Sequence, residues 1–230
     1  MKVIGHRGTA GLALENTLES FRLALDLGVD GVEFDVRITR DGNPVVCHDE
    51  MLNRISDSAK NVSELTYAQL KKIKLLNGAR VPLLSEVLEL VGNLPVIVEI
   101  KVSGHTEAIC RVFDAFPGLD ITVASFHQDV IADMRRLRPR IPLLLAENQN
   151  PFAAVRAARR YGAGLDLNHG LLNPYTYWQS KRYGFRIMVY TVNNPIVGWF
   201  IQTFYPRVWI CTNHPERFLK TPTIVTVPED

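Results

Sequence analysis

The sequence predicts an α/β fold: a (β/α)8 barrel of the TIM type, with a small insertion after its second strand. Three observations predict it. Eight short apolar runs rich in Val, Ile and Leu, at 2–6, 31–39, 95–101, 121–126, 142–147, 164–168, 186–192 and 208–213, alternate with helical patterns. Such runs read as strands buried on both faces of a parallel sheet. No Gly-x-Gly-x-x-Gly or phosphate-loop sequence follows the first run, which disfavours an open doubly wound sheet. Residues able to do chemistry gather at the C-terminal ends of the runs, where a barrel of this kind carries its site.

The elements follow in order. After the first strand, Leu14, Leu18, Phe21 and Leu25 make an apolar helical stripe that Gly28 stops. The second strand breaks the rhythm. Asp41-Gly42 sits between two β-prone runs, a hairpin signal, yet neighbouring parallel strands need a long crossover. The second strand is therefore expected to run on above the rim, turn, and return, bringing His48 and Asp49 back to it. Residues 40–80 then form a hairpin and small insertion over the rim, with a short helix at 65–70 capped by Thr66. Ser85 is the expected N-cap of the next helix, and further helices are expected at 129–137, 153–161 and 195–205. All 230 residues are read as a single domain, and the tail 221–230, with two prolines, is expected to pack loosely.

Composition narrows the function. Hydrophobic residues at 47% and charged residues at 22% exclude disordered and fibrous classes. A net charge of +2 is too small to predict a nucleic-acid partner, and the basic runs at 135–140 and 156–160 fall near helix C-termini, where cations favour the dipole. Cys47, Cys110 and Cys211 are odd in number and form no Cys-x-x-Cys pair, so neither a disulfide framework nor a zinc knuckle is expected. No signal-peptide pattern precedes the first strand and no run reaches the ~18 apolar residues of a membrane span. The expected location is cytoplasmic, without stable membrane insertion.

His6-Arg7 closes the first strand. Glu33 and Asp35, at i and i+2 on the second, point to one face while Phe34 points to the other; Glu99 and Lys101 do the same around Ile100. Three carboxylates inside a barrel are costly to bury unless paired or holding a metal. An all-oxygen set suits one divalent cation, Mg²⁺ or Ca²⁺, rather than zinc. His6 and His48 suit acid–base work, and Arg7 and Lys101 an anionic substrate oxygen. His169, with Asn168, and His127 close later strands as secondary candidates, whereas Cys47 is expected to point away from the site. Any one pair, such as Glu99–Lys101 or Asp35–Arg37, fits a buried structural salt bridge equally well. Convergence of so many on one rim does not.

His6-Arg7-Gly8, Glu15-Asn16-Thr17, Glu33-Phe34-Asp35-Val36, Thr39, Asp41-Gly42, Val45-Val46, His48-Asp49 and Glu99-Ile100-Lys101, with Tyr190-Thr191-Val192-Asn193 and Ile210-Cys211-Thr212 later, resemble the glycerophosphodiester phosphodiesterase family, in its bacterial cytosolic form. The likeness covers nearly the whole chain. It implies metal-dependent hydrolysis of small glycerophosphodiesters, such as glycerophosphocholine and glycerophosphoethanolamine, to glycerol 3-phosphate and an alcohol. By the resemblance, Glu33, Asp35 and Glu99 match metal ligands, His6 and His48 the catalytic pair, and Arg7 and Lys101 the phosphate contacts. Glu15, Asn16 and Asp49 fall within the same motifs as secondary site candidates. The resemblance also implies that the substrate's own glycerol 2-hydroxyl attacks, giving a cyclic phosphate that water opens. Asn213 departs from the acidic residue the family often carries there.

Three readings compete with this one. A lysophospholipase D-like or sphingomyelinase D-like enzyme would apply this chemistry to a lipid. A retaining glycosidase would pair Glu99 with Glu147 and leave the histidines without roles. A non-catalytic barrel would bind a phosphodiester without cleaving it. Finally, 196–205 carries no charge over ten residues. Helical spacing predicts Ile196, Val197, Phe200, Ile201 and Phe204 on the barrel side, leaving Trp199, Thr203 and Tyr205 outward. That arrangement reads as a helix packed under the C-terminal tail, a homo-oligomer interface, or a surface that meets lipid.

Overall fold

The structure, a computed structural model, describes residues 2–219; the tail 221–230 lies outside the described residues. Eight parallel strands form a closed ring: β1 (Val3–His6), β2 (Gly31–Ile38), β4 (Val96–Ile100), β5 (Ile121–Ser125), β6 (Leu143–Glu147), β7 (Gly164–Asn168), β8 (Ile187–Tyr190) and β9 (Trp209–Thr212). The order is sequential, and β1 pairs with both β2 and β9 to close it. The ninth strand, β3 (Pro44–Val46), lies antiparallel on β2 with Val36 opposite Val46 and Ile38 opposite Pro44. The expected hairpin is therefore present.

Alternation along each strand sorts the side chains. Phe34 and Val36 point outward into the layer shared with the helices, while Glu33 and Asp35 point inward. Inside the ring, Ile4, Ile97, Ala124, Leu144, Met188 and Cys211 form an apolar floor. Ile4 precedes His6 by two residues, Ile97 precedes Glu99, and Met188 precedes Tyr190, so the pleat stacks a dry layer beneath a polar one.

Around the ring stand α1 (Leu18–Leu27), α3 (Leu84–Val91), α4 (Thr106–Asp114), α5 (Gln128–Leu137), α6 (Pro151–Tyr161), α7 (Pro174–Tyr183) and α8 (Pro195–Phe204). Thr17 caps α1 and Gly28 ends it in the left-handed conformation; Leu14 lies before the helix and packs against the insertion. The short α2 (Tyr67–Leu70) has the expected Thr66 cap, with Gln69 reaching back to close a capping box. Ser85 is not the cap of α3. Leu83 holds that position, with Glu86 accepting from its backbone N–H at 2.8 Å, and Ser85 sits in the first turn. The helices α4 and α7 complete the alternation that the barrel requires, at ranges the sequence reading does not specify. α7 buries Thr176, Tyr177 and Ser180 rather than an aliphatic stripe, so it lacks the periodic signal. The insertion has its own apolar cluster, from Val45 and Cys47 through Leu52, Val62, Leu70 and Val81.

α8 corrects an expectation. Its buried residues are Gly198 and Ile201, with Val197 and Tyr205 partly buried. Ile196, Phe200 and Phe204 stand outward with Trp199. A helix apolar all round offers no periodicity to choose its inner face. Gly198 chooses it: a Cβ there would meet Phe218 Cε1 at 2.4 Å, so only glycine lets that ring lie on the helix backbone.

Candidate active site

The polar layer opens into a cavity of about 390 Å³ lined by His6, Arg7, Glu33, His48, Glu99 and Lys101, and on its far wall by Phe126, Asn148, Asp166, Asn168, Tyr190 and Thr191. All six near-wall residues were expected at a site. Asp35 lies directly behind them, 1% exposed.

β1 delivers His6 and then turns sharply. Arg7 adopts φ 50 and Gly8 φ 84, and a Cβ on Gly8 would meet Ser20 Oγ at 2.4 Å. The turn aims the Arg7 backbone N–H at Glu33 Oε2 (3.1 Å). It brings the Arg7 guanidinium against Asp35 (Nε to Oδ2, 3.2 Å) and Glu15 (Nη1 to Oε1, 2.8 Å). Asn16 donates from Nδ2 to Asp35 Oδ2 at 2.9 Å, and Lys101 Nζ lies 3.1 Å from Asp35 Oδ1 and 2.6 Å from Glu99 Oε1.

The two histidines have different partners. His6 Nδ1 is 2.6 Å from Asn213 Oδ1, which directs Nε2 into the cavity, 3.8 Å from Glu33 Oε2. His48 Nδ1 is 2.6 Å from Asp49 Oδ1, its backbone carbonyl accepts from Arg37 Nε at 2.7 Å, and Arg54 ties Asp49 (2.5 Å) to Glu15 (2.6 Å). Glu15, Asn16 and Asp49 thus act on residues of the site. Arg54, which joins two of them from the insertion, had no signal in the sequence.

Two expected residues are elsewhere. His169 starts a 3₁₀ turn after β7, and neither it nor His127 lines the cavity. Glu147 accepts the backbone N–H groups of Asn148, Gln149 and Asn150 with Oε1, which commits that oxygen to the loop opening α6. Cys47 is fully buried in the insertion cluster, away from the cavity as expected. Asp166 was missed, although an acid in the middle of a buried apolar strand was itself a signal.

The electrostatics describe a site short of positive charge. Glu33, Asp35 and Glu99 each offer an oxygen within 4.8 Å of the others. Burial, then Asp35 and Glu99, push the Glu33 carboxyl well above its ordinary range. Burial and Asp35 raise Glu99. Burial works on Asp35 too, but Lys101 and Arg7 outweigh it and hold Asp35 low. Burial, helped by Arg7, depresses His6 to about 4, and burial lowers His48 despite Asp35. Glu33 Oε1 is buried without a hydrogen-bond partner, and Asp35 Oδ1 has the Lys101 ammonium as its neighbour. Hard oxygen donors, clustered and under-satisfied, fit a divalent cation of the Mg²⁺ or Ca²⁺ kind. A second grouping, His6, Glu33 and Cys211, fits less well, because burial holds the Cys211 thiol protonated.

A parallel barrel with clustered carboxylates, two histidines and two cations at its C-terminal mouth has the make-up of a phosphoryl-transfer site. The family model of the Glycerophosphoryl diester phosphodiesterase family matches residues 6–217, and the chain belongs to that family. A glycerophosphodiester phosphodiesterase of Bacillus altitudinis is 36% identical over 158 residues, covering 62% of this chain and 64% of that protein. One from Caldanaerobacter subterraneus subsp. tengcongensis is 30% identical over 156 residues, covering 61% and 64%. The matched stretch thus spans just under two thirds of either relative's length. Among solved structures, an Oleispira antarctica phosphodiesterase in complex with the product sn-glycerol-3-phosphate superposes with a TM-score of 0.88 over 94% of both chains at 24% identity, a likeness of fold. A glycerophosphodiester phosphodiesterase from Parabacteroides distasonis gives 0.81 at 26% identity, over 94% of this chain and 93% of that one.

Proposed function

We propose that the chain, working as one catalytic domain in the cytoplasm, hydrolyses small glycerophosphodiesters such as glycerophosphocholine to glycerol 3-phosphate and an alcohol, with one divalent cation. The observation that carries this reading is the convergence of His6, His48, the three carboxylates, Arg7 and Lys101 on one cavity of a family barrel. The sn-glycerol-3-phosphate found with the Oleispira antarctica protein supports the product assignment by analogy of fold.

Glu33, Asp35 and Glu99 would hold the cation, which would neutralise phosphodiester charge and help acidify a hydroxyl. Arg7 and Lys101 face the cavity from either side of Asp35 and contact phosphate oxygens. His6, held by a neutral amide, favours the free base and takes the proton of the attacking glycerol hydroxyl through Nε2. His48 is held by a carboxylate that supports its imidazolium against the lowering by burial, and it gives its proton to the leaving alcohol. Water then opens the cyclic phosphate by the same two groups in reverse roles.

The test is release of glycerol 3-phosphate from glycerophosphocholine with Mg²⁺, with Ca²⁺ and with EDTA. Metal-dependent release is expected, with His6→Ala and His48→Ala each at least ~100-fold slower in kcat and still folded. Near-normal turnover in either variant removes that histidine from the mechanism, and no release with either metal removes the activity.

A further inference from the structure

Between Asp166 and Glu216 the chain has no Asp or Glu, while it has Lys181, Arg182, Arg186 and Arg207. That stretch builds α7, β8, α8 and β9, a continuous sector of the barrel wall. On it, large apolar side chains stand in solvent: Ile196 at 74%, Trp199 at 63% and Phe204 at 56% exposure, with Phe200 at 48% and Trp178 of α7 at 63%. The spacing 196, 199, 200, 204 places the four α8 residues on one side of the helix, and the Phe200 and Phe204 rings lie 4.6 Å apart. Lys181 and Arg182 sit in the last turn of α7. The Lys181 ammonium lies 5.1 Å from the Trp178 ring centre and 5.6 Å from that of Tyr177. Arg207 follows α8, in the left-handed conformation.

We propose that this face rests on an anionic bilayer surface, with Trp199, Phe200, Ile196 and Phe204 entering at headgroup level and Lys181, Arg182 and Arg207 of the same sector pairing with lipid phosphates; Arg186, stacked on Trp209 and bonded to Thr122, takes no part. An exposed aromatic face on a stretch that carries cations and no carboxylates is the composition of an interfacial helix. The charge argues against a second copy of the chain as the occupant. A two-fold contact would bring together two surfaces of the same positive sign, with no acid on the stretch to offset them. The contact is peripheral: among the described residues no helix is long and apolar enough to cross a membrane, and α8 is only ten residues long. α8 starts beyond the end of β8 and runs down the outside of the ring, so the bilayer meets the side of the barrel and the cavity mouth stays open. The inference does not depend on the catalytic reading.

The test is co-sedimentation of the full chain with vesicles of phosphatidylcholine alone, and of phosphatidylcholine with an equal part of phosphatidylglycerol. Binding to the anionic vesicles is expected to be at least about tenfold tighter, and to fall in about 0.5 M salt. The double variant W199S/F200S, altered only at exposed positions, is expected to bind at least about tenfold more weakly with a cooperative melt retained. No binding to anionic vesicles, or equal binding by the double variant, overturns the proposal. So does a sedimentation-velocity dimer that W199S/F200S disperses, which assigns the face to a second copy. Vesicle binding that appears only after deletion of residues 220–230 overturns it as well, and assigns the face to the tail.

Discussion

Replacing Asn213 by Asp puts a carboxylate where a neutral amide now meets His6 Nδ1 at 2.6 Å. In the metal-free protein His6 is depressed to about 4, chiefly by burial and next by Arg7, against an ordinary value of about 6.5. The native site therefore binds this proton more weakly than the unfolded chain does. Stability from this group is complete above about pH 6.5 and is lost as pH falls towards 4, by about 3 kcal/mol in all. A carboxylate in direct contact raises a histidine by about one to three pH units. Asn213→Asp is thus expected to move His6 to about 5–7 and to recover about 1 kcal/mol of the stability that wild type loses between pH 7 and pH 5. The assay is NMR titration of ring-labelled histidine in EDTA, paired with urea denaturation of both proteins at the two pH values. A His6 signal that titrates at the same pH in both proteins would refute the contact, and with it the argument that Asn213 selects the His6 tautomer.

Three further outcomes are expected. A divalent ion at 100 times its Kd should stabilise the protein by about 2.7 kcal/mol and displace protons, because burial and its neighbours raise the Glu33 carboxyl well above its ordinary range without it; Glu33→Gln should abolish both effects, and an equal melting shift in the variant would exclude Glu33 as a ligand. Gly198→Ala, forcing a Cβ to 2.4 Å from Phe218, should cost about 1–3 kcal/mol in chemical denaturation, and an unchanged midpoint would mean that Phe218 does not pack there. Burial and Glu99 raise the Asp166 carboxyl well above its usual range, so the native site keeps a proton the unfolded chain loses. Stability should fall as pH rises from about 4 towards that higher value, and Asp166→Asn should flatten the slope; parallel pH profiles would show that Asp166 is not buried as an acid.

Period and punctuation carried the barrel: eight buried runs, hairpin chemistry at Asp41-Gly42 and glycine stops such as Gly28 are local, and a chain of this length closes such strands into a ring. Alternation along a strand is local too. It puts Glu33 and Asp35, then Glu99 and Lys101, on common faces whatever contacts they make, and motif order supplies His6, His48 and Arg7. Other features are properties of neighbours distant in sequence. Arg54 reaches Glu15 across 39 residues and Asn213 meets His6 across 207, and no spacing encodes either contact. His169 had the residue type but a turn that leaves it outside the cavity. On α8, an apolar surface all round left hydrophobic periodicity nothing to select, and packing of Phe218 on Gly198 decided which residues were buried. The sequence by itself determined the fold and which residue types face the barrel mouth, because strand periodicity and turn chemistry act over a few residues. Only the tertiary structure decided which partner each charge meets and which apolar face stays in solvent, because both depend on groups brought together when the ring closes.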